Sequence, residues 1–171
     1  SPDGSRVAAA GVDNRIRVWS VSPAAKEGTN RLLVSRFAHE GAILRLAWST
    51  DGKTILSSAD DRTVKLWNVA NGRRTDTLSQ PLKEQYTVAF SPDGKRLYAG
   101  GADSRIRVWQ VSDAAIETSN PMLDAHFAHE GTILRLAFSP DGNTLLSCAD
   151  DRTVKLWDAV EMKQKLLLPN Q

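Results

Sequence analysis

DDRTVKLW runs from Asp60 to Trp67 and again, unchanged, from Asp150 to Trp157. The polar Asp60-Asp61-Arg62 reads as a turn. Thr63 to Trp67 then alternates β-branched and apolar residues around Lys65, the period of a partly buried strand. Two readings of the acidic pair stand open here. It is either a carboxylate pair with chemistry of its own, or a turn that a repeating architecture needs each time the chain reverses.

Working outward decides in favour of repetition. Ser1-Pro2-Asp3-Gly4 returns as Ser91-Pro92-Asp93-Gly94, and Phe37 to Gly41 returns as Phe127 to Gly131, both after 90 residues. Residues 1–81 laid on 91–171 share 46 of 81 positions, which marks a duplication. Each 90-residue unit is itself double. S-P/T-D-G turns begin at Ser1, Ser49, Ser91 and Ser139, and Trp19, Trp67, Trp109 and Trp157 keep the same beat. Between these marks the pattern is strand and turn. Ile43 to Trp48, Thr54 to Ser58, Thr63 to Trp67 and a stretch near Thr75 to Leu78 predict four short strands in about 42 residues, as in a propeller blade.

Composition excludes several classes of function. Twenty-two basic residues against 20 acidic ones leave a net charge of +2 with no basic run, too balanced to imply nucleic acid. No apolar run approaches a membrane span. The lone Cys148 excludes an intrachain disulfide and a cysteine-built zinc site, fits a reducing, cytoplasmic compartment, and reads as a small buried filler. No cofactor motif is present. A metal at Asp60-Asp61 is not expected, because adjacent residues on a hairpin splay apart.

The chain resembles the WD-repeat (WD40) β-propeller family over its whole length. The match is carried by a His before an inner strand, S-P-D-G, a Ser on the second strand, an Asp in the next turn and a Trp ending the third. The resemblance implies an all-β fold of four blades, 1–38, 39–80, 81–128 and 129–171, each four-stranded except the first. It also implies that His39, Ser57, Asp61 and Trp67 form a buried hydrogen-bond relay, with His129, Ser147, Asp151 and Trp157 as its copy. The first and third blades depart from the pattern. Ala9 and Ala99 replace the Ser, Pro81 replaces the third blade's His, and only Asp13 with Trp19 and Asp103 with Trp109 remain. Those blades are expected to lean on apolar packing.

A Ser, a His and an Asp also suggest a hydrolytic triad, but no oxyanion hole accompanies them. On this reading Asp60, Arg62, Asp150 and Arg152 project from the top face with Glu40 and Glu130 nearby. Arg45 and Arg135 lie on inner strands near the central channel. The six extra residues within Val21 to Arg31 and within Val111 to Pro121 form longer loops on the opposite face.

Propellers of this family usually have about six to eight blades, so four blades suggest half of an eight-bladed ring closed by a second copy. The chain is nine residues short of two full units. The gap corresponds to Leu82 to Phe90 and removes the first blade's inner strand. Either upstream residues are missing or further blades continue the protein. Over the last 14 positions the halves share only Leu78 with Leu168. Leu166-Leu167-Leu168 reflects either drift or a different neighbour at a closure. Three classes of function follow: a scaffold that holds a protein or peptide partner, a fragment that self-assembles, and a hydrolytic or metal-binding propeller, the least supported.

Overall fold

A computed structural model describes the chain except residues 25, 27, 79–82, 112–119 and 170–171, with the backbone alone at Pro169. Pro81 and most of the second long loop therefore lie outside the described residues. Among the described residues the secondary structure is strand and turn without helix. The first sheet holds β1 (Arg6–Ala10), β2 (Arg15–Ser20) and β3 (Leu32–Phe37). The second holds β4 (Ile43–Trp48), β5 (Thr54–Ala59), β6 (Val64–Asn68) and β7 (Arg74–Leu78). The third holds β8 (Gln85–Phe90), β9 (Arg96–Gly101), β10 (Arg105–Gln110) and β11 (Met122–Phe127). The fourth holds β12 (Ile133–Phe138), β13 (Thr144–Ala149), β14 (Thr153–Asp158) and β15 (Gln164–Pro169). Each is an antiparallel meander, and the first lacks an inner strand.

The S-x-D-G turns carry local instructions sufficient to reverse the chain. Gly4, Gly52, Gly94 and Gly142 all have φ near +70°, a conformation that glycine adopts without steric cost. Each aspartate accepts the serine hydroxyl at 2.5–2.6 Å and the backbone N–H two residues on at 3.0 Å. The turn is thus held by its own side chains before any tertiary contact forms.

Packing is sheet on sheet, with one apolar cluster at each junction. Ile16, Val18 and Val34 meet Ile43, Ile55 and Trp67 between the first and second sheets. Leu56, Leu66 and Leu78 meet Leu97, Ala99 and Trp109 between the second and third. Tyr98, Ile106 and Val108 meet Ile133, Leu145 and Trp157 between the third and fourth. Full burial of each large side chain contributes roughly 1.5–3 kcal/mol, so the junctions hold the stack together. The inner strands also meet directly, Thr87 Oγ1 accepting the Leu136 N–H at 3.1 Å.

Stacking corrects one expectation about the opening octapeptide. In the first copy its strand is not partly buried: Val64, Lys65, Leu66 and Trp67 are all buried, because neighbouring sheets cover both faces, whereas in the second copy Val154, Lys155 and Leu156 are half-buried. Cys148 is corrected in the opposite sense. It is half-buried, whereas its counterpart Ser58 is fully buried, because nothing among the described residues covers that face of the fourth sheet.

Candidate functional site

The turn between β5 and β6 positions the acidic pair. Asp61 Oδ1 accepts the Thr63 N–H at 3.0 Å and the Thr63 hydroxyl at 2.6 Å, while the Arg62 N–H bonds back to the Ala59 carbonyl at 3.1 Å. Arg62 has φ of 65°, and Arg152, Asn14 and Ser104 take the same left-handed conformation at the equivalent positions. A residue with a Cβ loses about 1–2 kcal/mol there. Asn and Ser are short; the two arginines are long and exposed.

From this turn a chain of donors runs inward. The Trp67 indole N–H donates to Ser57 Oγ at 2.8 Å, and the Ser57 hydroxyl lies 2.7 Å from His39 Nε2. His39 Nδ1 lies 2.9 Å from Asp61 Oδ2 and 3.0 Å from Thr63 Oγ1. With the proton on Nδ1, Trp donates to Ser, Ser to His and His to Asp, and no buried polar atom along the path is left over. The Glu40 N–H adds a further donor to Asp61 Oδ2 at 3.0 Å. The fourth sheet repeats the arrangement: Trp157 to Ser147 at 2.8 Å, Ser147 to His129 at 2.7 Å, and His129 to Asp151 at 3.0 Å.

Burial holds His39 and His129 below the ordinary histidine value, although the neighbouring carboxylates pull the other way. Burial by itself raises Asp61; the Thr63 hydrogen bond and the adjacent His39 outweigh it and keep the carboxyl below the usual range. The same balance takes Asp151 down to about 2.

These distances are those of a Ser-His-Asp triad, so burial must separate triad from staple. Ser57, Ser147, His39 and His129 are all 0% exposed, and each serine oxygen is already occupied by an indole N–H. A nucleophile that no substrate can touch does structural work.

Two members of the network were missing from the sequence reading. Thr63 and Thr153 bridge His and Asp, and Lys65 and Lys155 lie beneath them. Lys65 Nζ donates to the Ala38 carbonyl at 3.0 Å and stands 3.7 Å from Asp61; Lys155 Nζ donates to the Ala128 carbonyl at 2.6 Å. The signal was present, since a cation four residues after each relay aspartate occurs in both copies.

The first and third sheets use that same spacing differently. Arg17 and Arg107 stand where the lysines do and pair directly with Asp13 and Asp103, the first pair at 2.5 Å. These blades thus carry an ion pair beside the apolar packing on which they were expected to lean. Trp109 is fully buried, and among the described residues its indole N–H has no acceptor, the consequence of Ala99. Trp19 is half-buried, on a face that no other sheet covers among the described residues.

The surface candidates separate. Arg62 is not free: its Nε pairs with Glu84 Oε1 of the next sheet at 3.3 Å. Asp150 Oδ1 accepts the Thr132 N–H at 2.5 Å and is likewise engaged. Asp60, Arg152, Glu40 and Glu130 are exposed. Arg45 and Arg135 sit at bulges in β4 and β12, close enough that Arg135 repels Arg45. Burial first, and that repulsion second, lower the Arg45 pKa, and its Nε is buried without an acceptor among the described residues. No group of three or more His, Cys, Asp or Glu converges among the described residues.

Blades, relays and turns now stand together, and the WD domain, G-beta repeat family matches residues 1–20, 31–68, 73–110 and 121–158, most of the chain. The chain belongs to the WD-repeat family. This WD-repeat chain is 41% identical over 70 residues to WD repeat-containing protein 1 of Xenopus tropicalis, a stretch covering 41% of the chain and 11% of that protein. Against Protein HIRA of Dictyostelium discoideum it is 39% identical over 77 residues, 41% of the chain and 7% of the relative. Against Actin-interacting protein 1 of Drosophila melanogaster it is 36% identical over 72 residues, 40% of the chain and 11% of the relative. The chain thus matches only about a tenth of these relatives' length.

Proposed function

We propose that the chain is a protein-interaction scaffold without catalysis, whose top face and channel mouth take an acidic peptide segment. The observation that carries the reading is the pair Arg45 and Arg135. Two like charges are held near each other on inner strands, and neither has a carboxylate within ion-pair distance among the described residues. A carboxylate-bearing segment relieves the repulsion and offers the planar guanidinium groups a matching acceptor. Arg152, exposed and in a strained conformation, supports the same face as a second anchor. The buried serines and histidines support a non-catalytic role, because their hydrogen bonds are spent inside the blades. The lone thiol supports a reducing, cytoplasmic setting. Self-association that completes the ring belongs to the same reading, because a scaffold needs a closed platform.

The test is binding of a fluorescein-labelled deca-glutamate peptide at low salt, followed by anisotropy. Replacing both Arg45 and Arg135 with Gln is expected to weaken capture at least about tenfold, about 1.4 kcal/mol. Equal capture by parent and variant rejects the channel mouth as the site.

A further inference from the structure

Each internal junction of the stack is described above, but the two end faces have no neighbour among the described residues. The repeat supplies the template for both. Sheet four copies sheet two, and sheet one copies sheet three, so the face of sheet four that looks outward corresponds to the face that sheet two buries on sheet three. Leu146, Val154, Leu156 and Leu168 are the counterparts of Leu56, Val64, Leu66 and Leu78. Leu168 is 47% exposed while Leu78 is 2% exposed. On the other end, Val7, Ala9 and Trp19 are the counterparts of Leu97, Ala99 and Trp109. Val7 is 52% exposed while Leu97 is fully buried. Val7, Trp19, Val21, Gly28 and Asn30 line a groove of about 440 Å³ on this face, at the place where Leu78 is received by Leu97 and Trp109 in the second junction.

We propose that the outer face of the fourth sheet docks on the outer face of the first sheet of a second copy, seating Leu168 in the groove of Val7, Trp19 and Val21. The proposal rests on the ring-completing part of the scaffold reading and names its surface. The contact continues the blade-to-blade interface already present inside the chain, and it is head-to-tail, so it closes when the curvature of the stack allows it. Two differences adapt the junction. Asp76 bonds Asn120 at 2.5 Å across the second junction, but the corresponding residues at the ends are Leu166 and Asn30, which makes the new contact more apolar. Among the described residues the first sheet has no counterpart to β8, so within this stretch the contributions that Val88 and Phe90 make at the second junction have no equivalent. The contact is therefore smaller than an internal one, and association depends on concentration.

Sedimentation velocity from about 1 to about 100 μM reads the association. The parent chain is expected to reach the mass of two copies, or of more where the head-to-tail contact does not close at two. Leu168→Arg and Val7→Arg, both at exposed sites, are expected to stay at one copy, while Leu123→Arg on the exposed side of β11 associates like the parent. Cys148 lies on the proposed face two residues from Leu146, and it is the chain's single thiol. Its reaction with a thiol reagent is expected to slow at least about tenfold in the associated parent and to stay fast in Leu168→Arg. A parent chain that remains one copy throughout, with Cys148 reacting at the same rate, overturns the proposal and leaves these faces to blades of another sequence. Association that survives Leu168→Arg and Val7→Arg also overturns it. Association without capture of deca-glutamate rejects only the channel site, and capture without association rejects only the docking face.

Discussion

Ser57→Ala converts the intact relay of the second blade into the pattern of the third, where Ala99 leaves Trp109 without an acceptor. The substitution removes one oxygen and orphans two buried partners. The Trp67 indole N–H loses its acceptor at 2.8 Å, and His39 Nε2 loses its donor at 2.7 Å. Each buried group left unpaired costs about 1–3 kcal/mol. Because both lose the same partner, about 2–4 kcal/mol together is expected, a large part of the stability of a small domain. Urea unfolding followed by circular dichroism measures it, provided the denaturant slope is unchanged between parent and variant. Exchange of the indole protons by NMR gives the local readout: slow at Trp67 in the parent, and fast after substitution. The reverse change, Ala99→Ser, places a hydroxyl where Trp109 can donate to it and is expected to return up to about 1 kcal/mol. A loss below about 1 kcal/mol for Ser57→Ala, with the Trp67 indole proton still protected, refutes the relay as a stabilising staple.

Two further outcomes follow from the same network. The relay histidines are depressed by burial, so between their folded value and about 6.5 the unfolded chain binds protons that the folded chain does not. Stability is complete above about pH 6.5 and falls on acidification, by at most about 1.4 kcal/mol per pH unit for each histidine. A second loss begins below about 3.8, where unfolded aspartates protonate while Asp61 and Asp151 resist, Asp151 down to about 2. Urea midpoints at about pH 7.5 and about pH 5.5 check the first window, and equal midpoints contradict it. The ion pairs of the other blades differ in burial, which gives a contrast. Arg107 is 3% exposed, so Asp103→Asn leaves an uncompensated buried charge and is expected to cost about 3–5 kcal/mol. Asp13→Asn breaks an exposed, solvent-screened pair and is expected to shift the urea midpoint far less by the same assay, and equal losses refute the distinction.

The relay was legible through the family resemblance, whose His, Ser, Asp and Trp stand at the matching positions of this sequence. Thr63 and Lys65 sit inside the same octapeptide and were missed, because a strand pattern assigns faces without saying what lies beyond them. Arg62 was read as free to meet a partner, and its bond to Glu84 depends on a loop 22 residues away in the next sheet. Cys148 was read as a small buried filler in place of Ser58, but Ser58 occupies an internal junction and Cys148 an end face, which an aligned sequence cannot distinguish.

By itself, the sequence determined the repeat, the S-x-D-G reversals and the strands between them, while the pairing of His39 with Ser57, Asp61 and Trp67 came from the family resemblance. The repeat, the reversals and the strands are local or periodic, and turn chemistry and side-chain alternation specify them along the chain. Tertiary structure alone decided which faces are covered. Lys65 is buried beneath a neighbouring sheet, Asp103 meets Arg107 in place of a histidine, and Leu168 stands open where Leu78 is enclosed. Alternation says that two faces exist, whereas only stacking says whether protein or water lies against each. DDRTVKLW is thus the same eight residues in both copies, yet Val64 is fully buried and Val154 half-buried, because among the described residues one copy has a blade on either side and the other has a blade on one.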